Sequence, residues 1–145
     1  MIEVKGNLWT FPADVRVITT NGTVKRNGEA VMGRGCAAEA AQRWPTLPAN
    51  LGDHLIMNGN IPCFFLDDGD GFDLITFPVK HQWHERADIE LIEKSAVELV
   101  KLVLFEDNPT VVMPRPGCGN GHLRWEDVRP LLEPILDDRF HVITF

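Results

Sequence analysis

The sequence predicts an α/β fold, a mixed sheet with helices on both of its faces. Three observations carry the prediction. Apolar runs of strand length alternate with stretches of helical periodicity along the whole chain. One Asp/Gly cluster, 67–71, separates two apolar runs and reads as a hairpin, so one strand should be antiparallel. The 145 residues, 44% hydrophobic and 24% charged, suffice for a buried core and match ordinary globular composition, which excludes disorder, collagen and coiled coil. One domain over 1–145 is expected.

The elements follow in order. Residues 2–4 form a short strand, and 14–19 a second that ends at a Thr19-Thr20-Asn21-Gly22 break. Residues 33–44 read as a helix favoured by Ala37, Ala38, Ala40 and Ala41 and stopped by Pro45. A short helix fits 51–57, and strands fit 63–66 and 72–77. The clearest helix is 88–105, where Ile89, Ile92, Ala96, Leu99, Val100 and Val103 recur at steps of three and four behind an Asp88 cap. Residues 110–113 form a buried strand. A last helix covers 125–136, with Val128, Leu131, Leu132 and Ile135 inward and Pro130 and Pro134 straining it, and 141–145 closes the chain as a strand.

Charge and cysteines narrow the function classes. Fourteen basic and 21 acidic residues give a net charge of −7, which argues against a broad nucleic-acid surface but not against a small anion pocket built from backbone amides. Three cysteines, Cys36, Cys63 and Cys118, leave one unpaired in any disulfide scheme and form no CxxC knuckle. They read as reduced thiols of a cytoplasmic protein. No apolar run approaches the ~20 residues of a membrane span, and the first residues read as a strand rather than a secretory signal. No apolar stripe is left over once the core is assigned, which favours a monomer.

Glycine is unevenly placed. Seven of the 12 glycines sit in two strand-to-helix loops: Gly22, Gly28, Gly33 and Gly35 in the first, and Gly117, Gly119 and Gly121 in the second. Such loops let a ligand approach backbone amides closely, and a following helix adds a favourable dipole. Two facing loops suit a pyrophosphate. Arg16, Lys25, Arg26 and Arg34 against Glu29 make the first loop region locally positive. Neither loop is a Walker A or a GxGxxG motif.

At these residues the chain resembles a known family. Val31-Met32-Gly33-Arg34-Gly35-Cys36-Ala37 resembles the first ligand loop of macrodomains, and the stretch from Pro116 to Val128 their second loop and following helix. Phe77-Pro78-Val79-Lys80-His81-Gln82-Trp83 resembles a stretch of the DarG-type and terminal ADP-ribose glycohydrolase subgroup. The resemblance implies a three-layer α/β/α sandwich that binds ADP-ribose, without cofactor. It implies Lys80 and Asn21 as catalytic residues. It also implies ligand contacts from Asn7, Leu8, Thr20, Val31, Met32, Gly33, Arg34 and Gly35, and from Pro116, Gly117, Cys118, Gly119, Asn120, Gly121, His122 and Leu123. Two departures stand out: Asn7 replaces the usual Asp at the adenine, and Asn27, in a lengthened first loop, rivals Asn21. Gly121 stands where ester-cleaving relatives carry an Asp.

The chemistry of such a site follows from Lys80. Cleaving a glycosidic link develops positive charge at the anomeric carbon, where a lysine serves as nucleophile on the opened sugar, proton donor or electrostatic anchor. The first role needs a free amine, hence a lowered pKa from desolvation by Phe77, Val79 and Trp83 or from a nearby cation. Trp83 either stacks on a base or lines the site. His81-Gln82-Trp83-His84-Glu85 has metal-ligand residue types but neither HExxH nor HxxEH spacing. The expected function is an ADP-ribosyl hydrolase acting on modified DNA bases or protein side chains, with transient DNA contact. An ADP-ribose-1''-phosphate phosphatase and a non-catalytic ADP-ribose reader are the alternatives.

Overall fold

The computed structural model describes residues 1–65, 72–104 and 107–145, so the connection expected at 67–71 and Phe105 lie outside the described residues. Ten elements run in the order β1 (Ile2–Lys5), β2 (Val15–Asn21), α1 (Gly35–Arg43), α2 (Leu47–Asn58), β3 (Cys63–Phe65), β4 (Asp73–Lys80), α3 (Ile89–Val103), β5 (Val111–Pro114), α4 (Trp125–Leu132) and β6 (Phe140–Thr144). The six strands form one sheet in the order β1-β6-β5-β2-β4-β3. Every neighbouring pair is parallel except β3–β4, which is antiparallel. The sheet is mixed, as the sequence predicts.

Alternation along the strands fills both faces. Val15 and Val17 of β2, Ile75 and Phe77 of β4, and Val111 and Met113 of β5 pack with Ile92, Ala96 and Leu99 of α3 and Val128 and Leu132 of α4. The intervening residues Ile18, Leu74 and Val112 pack on the other side with Ala37 and Ala40 of α1 and Leu47, Leu51 and Leu55 of α2. The period-two pattern thus makes two half-cores from one set of strands. Each large side chain fully buried here, such as Phe77 or Leu99, contributes ~1.5–3 kcal/mol.

Several boundaries differ from the sequence reading. Helix α2 begins at Leu47, four residues before the predicted 51, because Pro48 sits in its first turn where no amide partner is needed. Helix α4 ends at Leu132 rather than 136: Pro134 cannot donate and disfavours helix in the residue before it. Pro130 stays inside the helix. Asp88 caps α3 as expected, its carboxylate accepting from the Glu90 amide at 2.9 Å.

The most consequential differences are at β2 and β4, predicted to end at 19 and 77 but running on to Asn21 and Lys80. Pro78 reads as a breaker in a central strand, yet it is accommodated by a register shift: Thr20 pairs with Pro78, and Asn21 pairs with Lys80. One extra residue, Val79, is absorbed there as a bulge. Strand β3 reaches only Thr76 of β4, so Pro78 lies beyond its cover. The Ser95 hydroxyl of α3 donates to the Pro78 carbonyl at 2.7 Å and secures the irregular point from below.

Candidate active site

A cleft of about 570 Å³ runs across the carboxyl ends of the parallel strands. Its wall includes Lys80 ending β4, Asn21 ending β2, Pro114 ending β5, Thr144 ending β6 and Asn7 just beyond β1. In the sheet these strands stand in the order β4, β2, β5, β6, β1. Four inter-strand steps at ~4.8 Å make the cleft ~19 Å long, a groove rather than a pit. Open α/β sheets commonly bind ligands at this edge.

The Lys80 end holds a lysine amine at the mouth of a strand. Registration sets Asn21 beside Lys80. The Lys80 ammonium donates to the Trp83 carbonyl at 3.3 Å, and the Lys80 carbonyl accepts from Gly22 N and Asn60 Nδ2. Burial lowers the Lys80 pKa first, and the Arg34 guanidinium lowers it further. Both perturbations favour the free amine. Asn21 Nδ2 donates to the Val31 carbonyl at 3.0 Å and its Oδ1 accepts from Thr23 N at 2.9 Å, so this side chain ties β2 to the first glycine loop. The Thr23 hydroxyl donates to Gln82 Oε1 at 2.8 Å and accepts from Trp83 N at 2.9 Å, which clasps residues 82–83 to the same loop. Trp83 borders the cleft with 49% of its surface exposed, so it is no core tryptophan.

The middle of the cleft is lined by backbone. The two loops touch where Gly35 (φ +58) meets Asn120; a Cβ on Gly35 would stand 3.2 Å from Asn120 Nδ2. The amides of Gly33 and Arg34 on one loop, and of Gly119, Asn120 and Gly121 on the other, have no acceptor among the described residues. Donors at a loop-to-helix junction without acceptors form an anion cradle. Gly117 (φ +76) supports the second loop from behind, where a Cβ would meet Ile92 Cδ1 at 2.7 Å. Gly121 has no room for a side chain either: its Cβ would meet the Gly117 carbonyl oxygen at 2.5 Å and Ala87 Cβ at 2.7 Å.

Of the residues singled out in the sequence, Lys80, Asn21, Asn7, Leu8, Thr20, Val31, Met32, Gly33, Arg34, Gly35, Gly117, Gly119, Asn120 and Gly121 border the cleft. Four do not. Pro116 is buried, and the Cys118 thiol turns to the Pro116 carbonyl at 3.5 Å. Leu123 packs against the core beneath α3, and His122, at φ 63, points its carbonyl at Arg86. Asn27 is likewise outside: it bonds the amide and carboxylate of Glu29 within its own exposed turn. Arg16 does not add to the positive loop, because it is 5% exposed and donates to the carbonyls of Trp9, Phe11 and Ala13. His81 bonds the Asp88 carboxylate at 2.7 Å, and no group of three or more potential metal ligands occurs among the described residues.

Sequence reasoning missed Trp9, Cys36, Glu39, Pro114, Arg115 and Thr144. A signal existed for two of them. Once parallel strands are inferred, the residue closing each one is a lining candidate, which selects Pro114 and Thr144. Arg115 needed the fold: its Nε is buried without a partner, and its guanidinium stacks over Trp125 at 5.1 Å.

No protein-family model matches the chain. Curated relatives do. A protein named DNA ADP-ribosyl glycohydrolase, from Mycobacterium tuberculosis and Mycobacterium bovis, is 30% identical over 112 residues. That match covers 73% of this chain, which spans only about a third (32%) of those relatives' length. Among solved structures, the macrodomain of Mycobacterium tuberculosis DarG superposes with a TM-score of 0.80 at 28% identity, covering 98% of this chain and 95% of that one. Thermosipho africanus DarTG in complex with ADP-ribose superposes at 0.78 and 19% identity, covering 98% of this chain and 41% of that one. Near-complete mutual coverage of the mycobacterial macrodomain at a TM-score of 0.80 shows that the chain has the macrodomain fold, and it is similar to the DarG macrodomain.

Proposed function

We propose that this chain is an ADP-ribosyl hydrolase that removes ADP-ribose from a modified DNA base. The observation that carries the reading is the pairing of Asn21 with Lys80 at one end of a cleft whose middle is lined by unpartnered glycine-loop amides. The diphosphate sits on the amides of the two loops, and its length delivers the distal ribose to Lys80. Asn21 orients that sugar. Opening of the ribose breaks the C1''–O4'' bond and leaves a proton on O4''; the free amine of Lys80 adds to C1'', the bond from C1'' to the base breaks as the base takes the proton of the attacking nitrogen, and water hydrolyses the resulting imine, which frees ADP-ribose and restores the amine. The names of the mycobacterial relatives and the ADP-ribose held by the Thermosipho africanus protein support this ligand and chemistry.

DNA is favoured over protein as the bearer of the modification by two features of the Lys80 end. Trp83 offers an exposed aromatic face beside the reactive amine, suited to stacking the departing base. Lys25, Arg26 and Arg34 are exposed cations of the first loop, available to backbone phosphates. The three free thiols suit a reducing compartment.

The test combines calorimetry with ADP-ribose and incubation with three substrates: ADP-ribosylated thymidine DNA, an ADP-ribosyl-glutamate peptide and ADP-ribose-1''-phosphate. Release from the DNA is expected. Phosphate release alone would make the chain a phosphatase, and binding without release from any substrate would make it a reader. Absence of ADP-ribose binding would remove every one of these readings.

A further inference from the structure

Asn21 and Lys80 are joined by more than strand register, because Thr23 stands between them. The Thr23 amide donates to Asn21 Oδ1 at 2.9 Å. Its hydroxyl accepts from the Trp83 amide at 2.9 Å and donates to Gln82 Oε1 at 2.8 Å. The Trp83 carbonyl in turn accepts from Lys80 Nζ at 3.3 Å. A chain of hydrogen bonds therefore runs from Asn21 through Thr23 and Trp83 to the Lys80 nitrogen. The Trp83 carbonyl belongs to a tight turn, closed by Glu85 N donating to the Gln82 carbonyl at 3.1 Å. Every residue from His81 to Arg86 is exposed, so core packing does little to hold this turn. Lys80 aside, the Thr23 hydroxyl is the hydrogen-bonding tie between the turn and the rest of the molecule among the described residues. Thr23 itself is secured without that hydroxyl: its amide holds Asn21, and its carbonyl accepts from Val31 N at 3.1 Å. It is absent from the wall of the cleft.

We propose that Thr23 is a positioning residue: by pinning the turn that carries the Trp83 carbonyl, it holds the Lys80 nitrogen beside Asn21, where the sugar is attacked. This rests on the function proposed above, in which that nitrogen adds to C1''. A lysine amine rides on a flexible four-carbon stem and carries a large rotamer entropy. Tying one N–H to a fixed carbonyl removes that freedom before the reaction begins, and alignment of reacting atoms is worth large factors in rate. The free amine keeps two N–H groups, so the tie survives loss of the proton and the lone pair is left for C1''. Thr23 touches neither the ligand nor the reacting atoms, so its effect falls on turnover and not on binding.

Thr23→Val keeps the shape of the side chain and removes both hydroxyl bonds, whereas Thr23→Ser keeps both. Release of ADP-ribose from ADP-ribosylated thymidine DNA is followed on the high-pH plateau, where the amine is free, and calorimetry measures ADP-ribose affinity. For Thr23→Val, kcat should fall at least tenfold with affinity within about twofold of native. Thr23→Ser should stay within about threefold of native in both. A valine variant with native kcat, one that loses kcat and affinity equally, or a serine variant as slow as the valine one would overturn the inference. Thr23→Ala, free of valine's second methyl, repeats the test if Thr23→Val lowers the thermal midpoint. Thr23 also steadies the Trp83 indole, so Thr23→Val is made in Trp83→Ala as well, where the backbone carbonyl remains. A further tenfold loss of kcat is expected there; no further loss would assign the effect to the indole and overturn the inference. If the native chain releases nothing from the DNA, the proposed function itself fails; if native release is seen and Thr23→Val matches it, only the positioning role fails.

Discussion

At the scale of single residues, the proposed chemistry turns on how Lys80 is held. Its ammonium leans on one carbonyl, that of Trp83, and faces no carboxylate in any bond or ion pair among the described residues. Burial and the Arg34 charge both lower its pKa. A lowered pKa means that the free amine appears as pH rises through a value below that of an ordinary lysine. Turnover that depends on the amine should therefore climb with pH and then level off. Arg34→Gln removes the cation, so the rising limb of the kcat profile should move to higher pH; a stationary limb would show that Arg34 does not tune the amine. Lys80→Ala should abolish turnover, measured by ADP-ribose release, while calorimetry still detects ADP-ribose binding; near-native release in that variant would exclude Lys80 from the reaction. The Phe-Pro-x-Lys resemblance pointed to Lys80, and the structure places that residue at the cleft. The carbonyl it donates to and the nearby guanidinium were not legible, since Arg34 lies 46 residues away in sequence.

At the scale of elements, the two glycine loops do different work. A Cβ on Gly33 meets nothing within 4 Å, whereas one on Gly117 would press on Ile92 from a left-handed backbone. Gly33→Ala should leave the thermal midpoint almost unchanged yet weaken ADP-ribose binding at least tenfold, because the methyl group enters the space over the first loop's amides; unaltered affinity would remove that loop from diphosphate binding. Gly117→Ala should cost ~2–4 kcal/mol in denaturant unfolding, from left-handed strain plus overpacking. The bulge that brings Lys80 level with Asn21 depends on α3. Ser95→Ala would leave the buried Pro78 carbonyl without its donor, at ~1–3 kcal/mol. If the bulge positions Lys80, kcat in Ser95→Ala should fall further than ADP-ribose affinity; equal losses would make Ser95 a stability residue alone. The sequence predicted both loops from glycine clustering, but it placed Pro116, Cys118, His122 and Leu123 with the ligand-facing residues. Loop neighbours alternate between cleft and core, and the choice depends on φ at Gly117 and His122, which composition does not reveal.

At the scale of the molecule, the proposed function asks an acidic chain to hold an anionic ligand through a local field. The net charge of −7 opposes extended contact with nucleic acid. If only Lys25, Arg26 and Arg34 meet phosphates, log affinity for single-stranded modified DNA should fall against log salt with a slope of ~−2. Fluorescence anisotropy across a salt series measures it; a slope near zero would mean that recognition stops at the ADP-ribose, and a much steeper one that a wider surface takes part. The sequence by itself determined the sheet-and-helix alternation, the antiparallel pair, the two-faced core and the two amide-lined loops, because periodicity and glycine placement are local properties of the chain. Only the tertiary structure decided where Asn21 meets Lys80, which loop residues face the cleft, and that Arg16 is a structural cation rather than a ligand's partner. Those outcomes depend on strand register, on a bulge at Pro78 and on packing between residues distant in sequence, and no local pattern encodes which of two remote strand ends will stand side by side.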